Sequence, residues 1–176
     1  MKRHHGFTLI EAVIAACVVT ILAGIAIPSF RAYYRTAMAT EATTALYDTW
    51  TAATRTALIA STDVVICPGN VTGCHASTDW SEGWIAFIDI NGDQMHGRGE
   101  SIVRNVQALR GNVRVLSTSG RQKLLIKPNG SSAGSNVTFT LCDGQGSAHA
   151  QSVVIANDGR IRLGLPSPAA GARCAA

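Results

Sequence analysis

From Phe7 to Ile27 the chain carries one charged side chain, Glu11, and its other polar groups are Thr8, Cys17 and Thr20. These 21 residues have the length an α-helix needs to cross a hydrocarbon core about 30 Å thick. Lys2 and Arg3 precede the run, and basic residues on that side keep the N-terminus cytoplasmic and send the rest of the chain outward. An ordinary secretory signal has its small-residue cleavage site after the apolar core. Here the small residue, Gly6, comes before it. A cut after Gly6 would remove the basic leader and keep the whole helix. A carboxylate in the apolar layer costs roughly 2.5–3.5 kcal/mol on insertion scales and calls for a partner. At headgroup depth, the positive end of the helix dipole would also favour Glu11.

Gly6, Phe7 and Glu11 together resemble the type IV prepilin signature. The resemblance implies cleavage after Gly6 by a prepilin peptidase, methylation of the new Phe7 amine, and assembly into a filament. It also implies a partner for Glu11, the Phe7 amine of a neighbouring subunit.

The 176 residues suit one domain plus this helix, and 47% hydrophobic content argues against disorder. Charge is unevenly spread. Residues 1–97 hold five Lys/Arg against eight acidic residues, a net of −3. Residues 98–176 hold ten Lys/Arg against Glu100, Asp143 and Asp158, a net of +7. Loss of the leader would take the whole chain from +4 to +2. A basic half of this kind suits a polyanionic partner, although it also suits a solvated surface. Cys17 lies in the apolar helix and reads as a small hydrophobe. Cys67, Cys74, Cys142 and Cys174 fall in an exported head, where disulfides form. Four cysteines allow three pairings; Cys67–Cys74 and Cys142–Cys174 are favoured over the other two. The spacing fits no usual zinc pattern.

Pro28 interrupts the apolar run. Beyond it Phe30, Tyr34, Met38, Ala42, Leu46, Trp50 and Ala53 recur at helical steps as one stripe. The pattern predicts one helix from Thr8 to Ala60 with a kink near Pro28. From Asp63 the period shortens. Strands are predicted over Asp63–Cys67, Trp84–Asp89, Ser101–Val106, Asn112–Ser117, Gln122–Lys127, Asn136–Cys142, Gln151–Ala156 and Arg160–Leu163. Asn157-Asp158-Gly159 is a tight-turn signal between the last two. Four segments result: a leader over 1–6, a membrane or filament-core half-helix over 7–28, an amphipathic half-helix over 29–60, and a β-rich head with a basic tail over 61–176.

Within the pilin class the chain resembles the FimT/GspH group of minor pilins and pseudopilins. The resembling residues are Cys67-Pro68, Cys74, Gly83-Trp84-Ile85-Ala86-Phe87-Ile88-Asp89-Ile90-Asn91 and Gly159-Arg160-Ile161-Arg162. The fold implied is α+β and pilin-like: a long N-terminal hydrophobic helix packed on an antiparallel, two-sheet head. The implied location is the bacterial inner membrane with the head periplasmic, and then the pilus at the cell surface.

The sharpest functional candidate is Gly159-Arg160-Ile161-Arg162. In a strand Arg160 and Arg162 share a face, about 7 Å apart, which suits successive phosphates. FimT-type minor pilins bind DNA through such a GRxR motif, so the resemblance implies DNA-binding roles for Arg160 and Arg162. Arg173, drawn near by a bridge at Cys174, could add a third charge, and Lys123 and Lys127 alternate similarly on another strand. Aromatic interleaving is sparse, so the expected contact is with duplex phosphates, without sequence preference. The alternative is a structural minor pilin, or a type II secretion pseudopilin, that primes or caps its filament without touching DNA.

Asp89, Asn91, Asp93 and Glu100 stand at positions 1, 3, 5 and 12 of a calcium-type loop, but Gln94 occupies the glycine position and no helices flank it. A polar hairpin connection is the preferred reading. His4 and His5 belong to the leader, and His75, His96 and His149 are isolated. The sequons at Asn70, Asn129 and Asn136 are read as chance. No nucleophile setting of the Gly-x-Ser-x-Gly kind occurs. The expectation is a non-enzyme without metal or cofactor, whose partners are DNA, other pilins, the prepilin peptidase and the membrane.

Overall fold

A computed structural model describes residues 8–132, 134 and 136–175. Gly6 and Phe7 lie outside the described residues. The chain forms two compact units, one ending at Tyr34 and one beginning at Arg35.

Helix α1 spans Leu9–Ala60, 52 residues, and serves both units. Thr8 starts it: its hydroxyl accepts from Glu11 N at 3.4 Å, and its carbonyl accepts from Ala12 N at 3.2 Å. The helix continues across Pro28. Proline removes one amide donor there, and Ser29 Oγ donates to Ile25 O at 3.0 Å in the same turn. In the N-terminal unit the apolar side chains are exposed, from Leu9 at 83% to Ile27 at 51%. By length and composition the helix here is long and apolar enough to cross a membrane.

In the second unit the buried helix residues are Ala39, Ala42, Leu46, Thr49, Trp50, Ala53 and Ala57. Phe30 and Tyr34, which the periodicity places on this stripe, are instead 68% and 44% exposed. The head core begins only at Met38, and both residues belong to the first unit.

Among the described residues nine strands come next: β1 (Asp63–Asn70), β2 (Gly73–Cys74), β3 (Trp84–Asp89), β4 (Ile102–Val106), β5 (Arg114–Ser117), β6 (Leu124–Ile126), β7 (Val137–Cys142), β8 (Gln151–Ile155) and β9 (Ile161–Gly164). Each predicted stretch overlaps a strand. The structure adds β2, lengthens β1 to Asn70 and extends β9 to Gly164. The first sheet has the order β2-β1-β3-β4, with β6 also paired to β1. The second has the order β5-β7-β8-β9. Every pairing is antiparallel. A short helix, α2 (Pro168–Ala172), closes the chain, capped by Ser167 Oγ, which accepts from Ala170 N.

One core serves helix and both sheets. Val64, Ile66, Trp84 and Leu124 enter it from the first sheet, and Val115, Phe139, Leu141 and Val153 from the second. Trp80 lies edge-on to Phe139 at 4.9 Å. Trp84 Nε1 donates to Thr49 Oγ1 at 3.0 Å, and that hydroxyl donates to Ala45 O at 2.7 Å. A buried polar pair is thereby satisfied at the helix–sheet contact. The opposite face of the first sheet carries a smaller cluster of Val65, Cys67, Ile85 and Phe87. Gly83 opens β3 with φ +104°, and a Cβ there would stand 2.4 Å from Val106 O.

Two disulfides hold the edges. Cys67–Cys74 ties β1 to β2, and Cys142–Cys174 ties β7 to the C-terminal tail across a separation of 32 residues. On the chain-entropy model a loop of that size stabilises by roughly 3–4 kcal/mol.

Ala53 and Ala57 are completely buried, so the helix meets the core through methyl groups. The substitution Ala53→Leu should therefore lower head stability by about 1–3 kcal/mol through overpacking. Denaturant unfolding of the head measures this, and an unchanged midpoint would show that the contact has room to spare.

Candidate nucleic-acid interface

The β8–β9 hairpin presents Arg160 and Arg162. Gly159 N donates to Ala156 O at 2.9 Å, and Ala156 N donates to Arg160 O at 2.9 Å. Gly159 has φ +83°, and a Cβ there would stand 2.5 Å from Gly130 O. Conformation and space both demand glycine. The mouth of the hairpin is tied down from several directions. Trp50 Nε1 donates to Gly159 O at 3.2 Å. Ser132 N donates to Asn157 O at 3.0 Å, and Asn136 N donates to Asn157 Oδ1 at 2.9 Å. The arginines thus leave a backbone fixed by the helix and by the preceding loop.

Ile161 packs against the core, while Arg162 lies opposite Val154 on the outer face of the second sheet. Arg162 is exposed and has no partner among the described residues. Arg160 immediately precedes β9 and shares that face by strand alternation. Its charge is not free. Nε lies 2.6 Å from Asp158 Oδ2, and its backbone N–H donates to Asp158 Oδ1 at 3.2 Å. These donors, the backbone N–H foremost, hold the Asp158 carboxyl below the ordinary aspartate value of 3.8.

Beside Arg162 the outer face is concave. A depression of about 500 Å³ is lined by Arg162, Arg121, Asn136, Thr138 and Asn157, among others. A second, of about 540 Å³, is lined by Thr140, Ser152, Leu165, Ser167 and Arg173, among others. Thr118, Ser119, Thr138 and Val154 line both, so the two form one groove floored by β7 and β8. Among the described residues none lining either part is acidic. Arg121 donates to Gly134 O at 3.2 Å and to Asn136 Oδ1 at 3.3 Å. Arg173 donates to Ser117 O at 3.1 Å. These acceptors are neutral, so they orient the guanidiniums without cancelling charge.

Lys123 and Lys127 are not brought to this groove. Both flank β6 of the first sheet. Lys127 Nζ lies 2.6 Å from Asp63 Oδ2, an ion pair that is partly shielded from solvent. Lys123 Nζ donates to Gln94 O at 3.2 Å. Lys123 also lines a separate depression of about 360 Å³ together with His75, His96 and the Cys67–Cys74 bridge. Those two histidines, isolated in sequence, are therefore neighbours of one cavity.

Ligand oxygens of Asp89, Asp93 and Glu100 lie within 4.8 Å of one another. Their carboxylates accept backbone N–H groups of the same loop. Asp89 takes Gly92 N and Gln94 N, Asp93 takes Met95 N, and Glu100 takes Ile90 N and Gly97 N. They staple a polar connection between β3 and β4.

Sequence reasoning missed Arg121, Thr118, Ser119 and Thr138 as parts of the groove. The alternation of β7 marks Val137, Phe139 and Leu141 as core, and by the same count it turns Thr138 and Thr140 outward. Arg121 lies in a connection without periodicity, and only tertiary structure brings it beside Arg162.

A helix with one uncovered apolar half, and another half that packs into a two-sheet antiparallel head, defines a subunit of the type IV minor pilin and pseudopilin class. The chain belongs to the family described as type II transport protein GspH, whose model matches residues 42–159. Residues 1–27 match the prokaryotic N-terminal methylation motif. Two crystal structures of the type IV minor pilin FimU of Pseudomonas aeruginosa share the fold. In space group P65 the TM-score is 0.52 at 17% identity, over 73% of this chain and 91% of that one. In space group P21 it is 0.54 at 17% identity, over 75% and 89%. No curated protein matches by sequence.

The folded value of Asp158 lies below the unfolded one. Its pairing with Arg160 is therefore complete above the unfolded value and is lost as the pH falls through the folded value. An NMR titration of the Asp158 carboxyl should find it below the ordinary value in the native protein and nearer to it in Arg160→Ala. A native value at or above 3.8 would contradict the contact.

Proposed function

We propose that this minor pilin-type subunit binds extracellular double-stranded DNA through its phosphate backbone, without sequence preference, for uptake in natural transformation. One observation carries the reading. Among the described residues, Arg162 stands unpartnered beside a groove without carboxylates that Arg121 and Arg173 also line. Arg160 joins it when a phosphate oxygen takes the place of Asp158. Neutralised phosphates release condensed counterions, so the binding is salt-dependent. Lys123 and Lys127 contribute to the field of the basic half and make no contact at this site.

The head unit beginning at Arg35, titrated with duplex DNA at several salt concentrations, tests the reading. Arg160→Ala with Arg162→Ala should weaken binding and lower the log–log salt slope by about 2, close to 0.9 per lost contact. Unchanged affinity and slope would show the assigned site to be wrong.

A second reading is favoured by the family match itself, which ends at Gly159 and so leaves out both arginines. In it the chain is a structural minor pilin, or a type II secretion pseudopilin, that primes or caps its filament without touching nucleic acid. A deletion that blocks secretion and spares DNA uptake would select it.

Both readings share one maturation route. The prepilin peptidase cuts after Gly6 and Phe7 is methylated. The segment to Ile27 rests in the inner membrane with the N-terminus cytoplasmic and the head periplasmic, and then joins other pilins in the filament core. There Glu11 pairs with the Phe7 amine of a neighbouring subunit. Mass spectrometry of protein recovered from cells should find a chain beginning at Phe7. An intact Met1, or a start beyond Ile27, would overturn the route.

A further inference from the structure

We infer that the whole groove over β7 and β8, and not the arginine hairpin alone, is a track for one phosphodiester strand of the duplex. Arg121 and Arg173 bind phosphates in it, and the Thr138 hydroxyl positions them. The inference rests on the DNA-binding reading and names where the backbone lies.

Three observations support it. The groove is continuous, because Thr118, Ser119, Thr138 and Val154 belong to both of its parts. Between Asn136 and Thr140 its floor follows β7 for four residue steps, about 14 Å at strand rise. That is room for a short stretch of backbone and too little for a double helix to enter.

The charges are also prepared in advance. The guanidinium of Arg121 is held by Gly134 O and Asn136 Oδ1, and that of Arg173 by Ser117 O. A guanidinium has five N–H donors. Two bonds at Arg121 and one at Arg173 leave donors over for a phosphate, at little further loss of side-chain freedom. Arg173 is placed by the adjacent Cys174, bridged to Cys142 of β7.

The uncharged lining completes the site. The Thr138 side chain faces the groove half-buried, and its hydroxyl has no partner among the described residues. Ser119 is exposed at the same wall. Among the described residues no aromatic ring lines either part of the groove. It can donate to phosphate oxygens and cannot stack a base.

The test uses the full chain in detergent, a short blunt DNA duplex, and titrations over a range of salt. Arg121→Gln and Arg173→Gln should each weaken binding about 3- to 10-fold at low salt and lower the log–log slope by about 0.9. Thr138→Val should weaken binding at unchanged slope, because it removes a hydrogen bond and releases no counterion. Retention of both disulfides and of the thermal midpoint confirms that each variant is folded. If Arg162→Gln weakens binding while the other three variants bind as the parent does, the track is wrong and the DNA-binding reading stands. If none of the four variants weakens binding, both fall.

Discussion

The head is assembled on a row of helix methyl groups. Ala39, Ala42, Ala53 and Ala57 let the helix approach closely, while Leu46 and Trp50 reach between them into the core. Neither sheet can bury its inner face without that contact, because both direct their apolar side chains to the same cluster. Trp50 connects this packing to the surface. Its ring belongs to the core, and its N–H reaches Gly159 O at the mouth of the β8–β9 hairpin. Truncating a buried aromatic costs about 3–5 kcal/mol, and a single hydrogen bond contributes about 1. Packing therefore dominates stability, and the hydrogen bond decides where the hairpin points.

The cations of the basic half differ in what holds them. Arg121 and Arg173 rest on carbonyl or amide oxygens and keep their full charge. Lys127 is paired with Asp63 in a partly shielded site and helps join the edge of the first sheet. Arg160 lies between these cases. Its contact with Asp158 is short, but the side chains are 76% and 51% exposed, so solvent screens the pair. A phosphate can replace that carboxylate on like terms, since both offer charged oxygens to the same donor. Counting basic residues would treat these side chains alike, whereas neutral oxygens hold Arg121 and Arg173 and carboxylates hold Arg160 and Lys127.

Much of this was legible in the chain. The apolar run with Gly6, Phe7 and Glu11 carries the resemblance to the pilin class, and the change of period at Asp63 marks the passage from helix to strands. The reach of the buried stripe was less legible. Phe30 and Tyr34 continue the helical spacing, but a period cannot say where the sheets begin. β2 is two residues long and has no period of its own. The arginine motif could be read as a motif. Its groove could not, because Arg121 and Thr138 come beside Arg162 through the β7–β8–β9 pairing. Nor could the Asp158 contact be read as an attenuator of Arg160, since Asn157-Asp158-Gly159 spells a turn regardless of where the carboxylate goes.

The uncovered half of the helix poses a different problem from the head. Among the described residues its large side chains, Leu9 through Ile27, are exposed. Hydrophobic burial stabilises by roughly 25 cal/mol per Å², so lipid or neighbouring helices must supply what the fold does not. The segment is well prepared for either. The Thr20 hydroxyl donates to Ala16 O and that of Ser29 to Ile25 O, so neither presents an unmet donor to an apolar surrounding. Thr8 takes the first-turn N–H of Glu11, yet the Glu11 carboxylate itself has no partner among the described residues. Non-directional packing would accept many arrangements of such rods. A single unmet carboxylate accepts few, because leaving it unpaired in an apolar layer costs several kcal/mol. In the assembly proposed above, that one group would carry the demand for a specific neighbour.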